Sequence, residues 1–217
     1  MDHVHHQEVE VKSDSIRLQG ELAVPPNAMG LVIFSHGSGS SRFSPRNNFV
    51  ARYLHSFHLA TFLFDLLTRE EDQDYQQRFN IPLLSERLER ATVSLRKHDQ
   101  VKRLPIGYFG ASTGAASALI AASKLSDQIA TVVSRGGRPD MAMDYLPHVK
   151  CPTLLIVGEL DTEVIILNQK AFSKLTGVKK LEIVKGATHL FEEPGTLEEV
   201  ARLSAEWFEK QLKNFEC

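Results

Sequence analysis

Ser112 stands in Gly110-Ala111-Ser112-Thr113-Gly114, between the short apolar run 105–109 and an alanine-rich stretch, 115–124. A G-x-S-x-G string in that setting suits a serine nucleophile. The chemistry needs a sharp strand-to-helix turn that lifts one hydroxyl clear of a sheet. Such a turn holds its central residue in a strained backbone conformation. The residues two before and two after come close to it, which Gly110 and Gly114 allow. A helix beginning at Thr113 directs its positive end at the site and favours a developing anion. The bare string is common, and its flanks give it weight. The plain alternative is a turn serine between two packing glycines.

A serine hydroxyl is a poor nucleophile until a base takes its proton. That base is expected to be a histidine oriented by a carboxylate. After Ser112 the chain has two histidines, His148 and His189. His189 follows the last apolar run and precedes the final helix, so it is the expected base. His148 leads into a strand and would emerge at the wrong edge of the sheet. For the acid, the run 153–157 enters Gly158-Glu159-Leu160-Asp161-Thr162-Glu163. Asp161 is the expected partner, with Glu159, Glu163 and Asp140 as rivals. The plain alternative for Asp161 is a cap on the next helix.

A tetrahedral intermediate needs preorganised N–H donors. One is expected from Thr113. The other is expected from Ser35-His36-Gly37-Ser38-Gly39-Ser40-Ser41, which follows the apolar run 31–34. Ser38 is the expected donor there, with Gly37 next. His36 is expected to hold the loop by a hydrogen bond. The loop lacks the lysine of a P-loop.

Apolar runs at 31–34, 59–64, 106–109, 129–133, 154–157 and 181–184 read as buried strands. Alternation at 9–12 and 15–22 reads as an edge hairpin. Helical patterns lie between the runs: Leu84, Leu88, Ala91 and Leu95, then 115–124, then 164–175. Near the end, Thr196 and Glu199 form a capping-box pattern. Leu197, Val200, Leu203, Trp207 and Phe208 then give the stripe of a final helix. Strands alternating with helices predict an α/β domain, a mostly parallel sheet of about eight strands covered on both faces. With no linker or repeat in view, residues 1–217 are expected to form one domain. The polar segment 68–78 reads as a solvated loop or as a rim shaping substrate access.

The 217 residues are 42% hydrophobic and 24% charged, a globular composition. With 25 Lys and Arg against 27 Asp and Glu, the net charge is −2. No basic excess supports nucleic-acid binding, and no run approaches the ~18 apolar residues of a membrane span. Cys151 and Cys217 suggest neither a disulfide framework nor a metal site. His3, His5 and His6 have no second cluster at ligand spacing. No metal or other cofactor is expected. The start of the chain has no basic-then-apolar signal pattern, so a cytoplasmic location is expected.

The His-Gly loop, nucleophile turn, Asp loop and His loop come in the order of the α/β-hydrolase fold, which the chain resembles. The segments SHGSGSSR (35–42), FDLLT (64–68), GYFGASTGAA (107–116), SRGGRPD (134–140), LLIVGELD (154–161) and GATHLFEEPG (186–195) resemble its dienelactone hydrolase-like branch. The resemblance spans about residues 8–213 and implies a triad of Ser112, Asp161 and His189. Dienelactone hydrolases proper use a cysteine nucleophile where this chain has Ser112. That points to a serine esterase acting on a small ester, thioester or lactone. The group also resembles segments joined to phosphoribosyltransferase domains in longer proteins. Only about twenty residues separate the runs 129–133 and 154–157, too few for a cap domain, so an open site is expected. Arg135 and Arg138 in that segment could steer an anionic acyl group, or be structural. The competing reading is a non-catalytic relative that binds a ligand or partner.

Overall fold

A computed structural model describes residues 3–215. Eight strands form one sheet in the order β1-β2-β4-β3-β5-β6-β7-β8. β1 (His5–Ser13) and β2 (Ile16–Val24) make an antiparallel hairpin whose turn includes Asp14 at φ 51°. β2 also runs antiparallel to β4 (Leu59–Phe64). From β4 onward the sheet is parallel, through β3 (Gly30–Ser35), β5 (Ile106–Ala111), β6 (Ile129–Arg135), β7 (Thr153–Gly158) and β8 (Lys179–Val184). All residues of β3 to β7 are buried, as strands covered on both faces require.

Two cores follow from this. On one face, α2 (Ile81–Leu95) and α3 (Thr113–Lys124) cover Ile33, Phe62, Tyr108 and Val132. On the other, α1 (Pro45–His55) and α5 (Thr196–Lys213) cover Val32, Phe34, Phe109 and Val133. α4 (Thr162–Lys174) joins the first face, where Ala171 is buried. Between β6 and β7 the chain makes only two 3₁₀ turns, Pro139–Ala142 and Leu146–His148, so no cap domain is inserted there.

The α/β class, the strand count and the edge hairpin match expectation, and boundaries move by a few residues. Two local readings differ. The capping box does not form. Gly195, at φ 82°, is the N-cap of α5, and Thr196 is its first residue. The Thr196 hydroxyl donates to Glu193 O at 2.7 Å, and Glu199 holds Arg202. A glycine in the left-handed region starts the helix one residue earlier than the pattern implied. Helix α1 was not foreseen, because its apolar face is small. Its signal was Ser44-Pro45: Ser44 Oγ accepts from Asn47 N at 3.3 Å, and Pro45 occupies the first turn.

Candidate active site

The carboxyl ends of the parallel strands carry the candidate residues, where sheets of this kind place ligands. Ser112 joins β5 to α3 with φ 50° and ψ −121°. Its backbone is fully engaged: its N–H donates to Arg135 O at 3.2 Å, and its carbonyl accepts from Ala115 N at 3.1 Å and Arg138 N at 3.0 Å. The two flanking glycines are obligatory. A Cβ on Gly110 would lie 2.4 Å from Ala115 Cα, and one on Gly114 would lie 2.1 Å from Ser35 O.

Asp161 and His189 meet. His189 Nδ1 lies 2.6 Å from Asp161 Oδ2, with side chains 37% and 14% exposed. An ionised carboxylate only accepts, so Nδ1 carries the proton and Nε2 is left basic. The His189 ring also packs near Gly136, whose Cβ position would be 3.6 Å from its Cε1. Gly136 directly follows Arg135, whose carbonyl receives the Ser112 N–H, so His189 and Ser112 contact adjacent residues of one segment. Among the described residues no hydrogen bond joins Ser112 Oγ to His189.

The rival residues go elsewhere. Glu159 accepts from Gly186 N at 2.8 Å. Glu163 is exposed in the first turn of α4, and Asp140 pairs with Arg138. His148 is exposed just ahead of β7, at the opposite end of the sheet. Asp161 occupies the N-cap position of α4 without capping it, since its side chain makes no cap bond.

The loop after β3 reaches the nucleophile. A Cβ on Gly37 would be 3.2 Å from both Ala111 O and Ser112 Cβ. His36 Nε2 accepts from Leu66 N at 3.0 Å, while Nδ1 meets Gly37 O at 3.0 Å. These bonds fix the Nδ1–H tautomer. Burial holds His36 below the usual imidazole range, so the ring is neutral. Ser38 does not present a free amide. Its N–H donates to Thr113 Oγ1 at 2.8 Å. Thr113 N–H, at the first position of α3, has no carbonyl within the helix to bind.

The arginines are not open anion sites. Arg135 is 5% exposed; its guanidinium donates to Asn47 Oδ1 at 3.2 Å and lies 5.9 Å from the Phe191 ring centre. Burial, and then the charge of Arg46, lower its pKa to about 10. Arg135 therefore supports the His189 loop from inside rather than facing a substrate. Arg138 is tied to Asp140 at 2.9 and 2.8 Å, which raises its pKa. It stays beside Ser112 through its backbone.

Among the cavities of the described residues, one of about 640 Å³ borders the loop after β3. Its walls include His36, Ser40, Arg42, Phe43, Leu67 and Arg69, but not Ser112, Asp161 or His189. The segment 68–78 forms part of that rim and contains two 3₁₀ turns, Glu71–Gln73 and Gln77–Phe79. His5 and His6 belong to β1, and His6 meets Glu21 at 2.6 Å. Cys151 is buried and its thiol is pushed up to about 12 by desolvation, so it is inert; Cys217 lies outside the described residues. No helix of the described residues is long and apolar enough to cross a membrane.

Residues 18–216 match the model of the dienelactone hydrolase family. The chain belongs to that family. A crystal structure of dienelactone hydrolase from Anabaena variabilis is 49% identical, covers 96% of this chain and 99% of its own, and superposes with a TM-score of 0.93. Est1E from Butyrivibrio proteoclasticus is 19% identical over 94% of this chain and 98% of its own, with a TM-score of 0.80, a likeness of fold. Among curated proteins, one from Mycobacterium tuberculosis strain H37Rv, named "Putative phosphoribosyl transferase", is 51% identical over 202 residues. That match covers 93% of this chain and 46% of the relative, so the chain spans about half the relative's length. Family membership makes the chain a hydrolase-fold member of the dienelactone hydrolase group.

The sequence missed what braces the site. Glu193 accepts from Thr188 Oγ1 at 2.6 Å and Thr188 N at 3.1 Å, closing the His189 loop. Phe191, at φ 56° and 1% exposed, anchors it. A Thr and a Glu five apart carry no recognised signature.

Proposed function

We propose that this chain is a serine hydrolase of small esters, thioesters or lactones, working through an acyl-enzyme. The observation that carries this is the 2.6 Å Asp161–His189 contact beside a strained serine at a helix start. Ser112 Oγ attacks the carbonyl carbon, and its proton passes to His189 Nε2. The new C–O bond pushes an electron pair onto the carbonyl oxygen. The amide of Thr113 stabilises that oxyanion, joined by the Ser38 amide as it leaves the Thr113 hydroxyl. Asp161 holds the imidazole and stabilises its cation. The intermediate collapses, the leaving group departs with the proton from His189, and the acyl group stays on Ser112. Water then enters, gives its proton to His189, and releases the acid by the reverse sequence.

The test is a fluorophosphonate probe with peptide mapping, run beside Ser112→Ala. Labelling at Ser112 in the wild type, absent in the variant, is expected, with ester turnover down by about 10⁴-fold or more. A folded wild-type protein that does not label would favour the ligand-binding reading.

A further inference from the structure

The second oxyanion donor is already held. Ser38 is an exposed residue between Gly37 and Gly39, with Gly39 at φ 67°. His36 pins the root of this loop, through Gly37 O and Leu66 N. At the tip, the Ser38 N–H has one partner, the hydroxyl of Thr113, at 2.8 Å. Thr113 is itself 2% exposed and cannot swing freely.

We infer that the Thr113 hydroxyl is a positioning group for the oxyanion hole: it keeps the Ser38 N–H aimed at the space beside the Thr113 N–H before substrate arrives. This rests on the serine-hydrolase reading. The nitrogen of Thr113 is bonded to its Cα and Oγ1 to the adjoining Cβ, so the two atoms are close neighbours. An N–H directed at Oγ1 is therefore a short swing from an oxygen bound to the Thr113 N–H. The two acceptors differ in strength. A neutral substrate carbonyl competes with the hydroxyl on nearly equal terms. A negatively charged oxygen makes a bond roughly twice as strong and draws the donor over. The exchange favours the transition state over the ground state, so the effect falls on kcat. Without the hydroxyl, two glycines leave the donor free to wander, and the ordering must be done at each turnover.

Three proteins test this with p-nitrophenyl acetate as probe: wild type, Thr113→Val and Thr113→Ser. Thr113→Val keeps the volume and loses the acceptor. Its kcat is expected to fall about ten-fold, below the cost of removing an oxyanion donor outright, with KM within about two-fold. Thr113→Ser is expected to restore most of the rate. A Val variant as fast as wild type, or faster, would mean the hydroxyl merely plugs the hole and would overturn the inference. Equal losses in Val and Ser, or a change confined to KM, would overturn it too. An independent readout needs only the wild type. The Ser38 amide is expected to be protected from hydrogen exchange despite lying in an exposed residue, and an unprotected amide sinks the inference even if Thr113→Val fails to fold. A wild type that neither labels at Ser112 nor turns over the ester overturns both readings. An active, labelled wild type with an indifferent Val variant overturns this one alone.

Discussion

The two halves of the site are held in different ways. The Ser112 turn is fixed by exclusion: Gly110 and Gly114 press backbone against backbone, and every polar group of Ser112's main chain is engaged. The Asp161 and His189 loops are fixed by attachment. Glu159 reaches Gly186 N, Leu160 N reaches Ala187 O at 2.9 Å, Asp161 reaches His189, and Glu193 reaches Thr188. Two of these four bonds sit in exposed surroundings, on side chains that could be shortened without creating a clash. A packed turn tolerates no change and needs no side-chain tethers. A tethered loop tolerates change and loses precision gradually.

The strongest way to break the comparison is Gly114→Ala. Its new Cβ would lie 2.1 Å from Ser35 O and 2.5 Å from His36 O, both backbone atoms. The expected cost is about 3 kcal/mol, seen as a Tm lowered by roughly 6–12 °C, with ester hydrolysis nearly lost. A variant that kept wild-type Tm and rate would show that the turn is not fixed by packing. Glu193→Ala should act far more mildly. The His189 loop would keep Asp161 and Phe191, so kcat should fall by only about three-fold, less than the full worth of the two exposed hydrogen bonds lost, with little shift in Tm. A Tm loss as large as that of Gly114→Ala would erase the distinction.

A third region sharpens the contrast because it lies outside the site. His55 Nε2 bonds Thr61 Oγ1 at 2.8 Å; the facing charged and titratable groups are His6, Arg52 and Glu21. Burial, then the neighbouring His6, lowers the His55 pKa from 6.5 to about 4. The unfolded chain then binds a proton near 6.5 that the folded chain refuses until about 4. This contribution to stability is whole above about pH 6.5 and is lost progressively down to about pH 4. His55→Gln should flatten that stretch of the stability profile, read as urea midpoints, while leaving the rate at neutral pH unchanged. An identical profile in the variant would show that His55 does not carry the effect.

Much of the fold was legible because its signals are local. Each buried strand is one apolar run, and the serine turn carries its own glycines. Asp161 and His189 were readable from their places after the last two parallel strands. The rest depends on contacts that join distant segments. Ser38 and Thr113 are 75 residues apart, and no spacing rule couples them. Arg135 read as either a steering cation or a structural one, because arginine is rarely buried without a paired charge and nothing in its neighbours chose between the two. It is enclosed by Asn47 and Phe191, which arrive from α1 and the His189 loop. Thr196 read as a cap, but a left-handed Gly195 had already taken that place.

The sheet stops at β8, which pairs only with β7 among the described residues. An unfinished ladder invites a second copy of the chain to dock strand on strand and begin an aggregate. Here Lys179, Lys180 and Glu182 are spaced along that edge, close to the exposed Ile183. Any copy that zipped onto β8 would have to strip water from these charges, and that desolvation guards the border of the molecule in crowded solution.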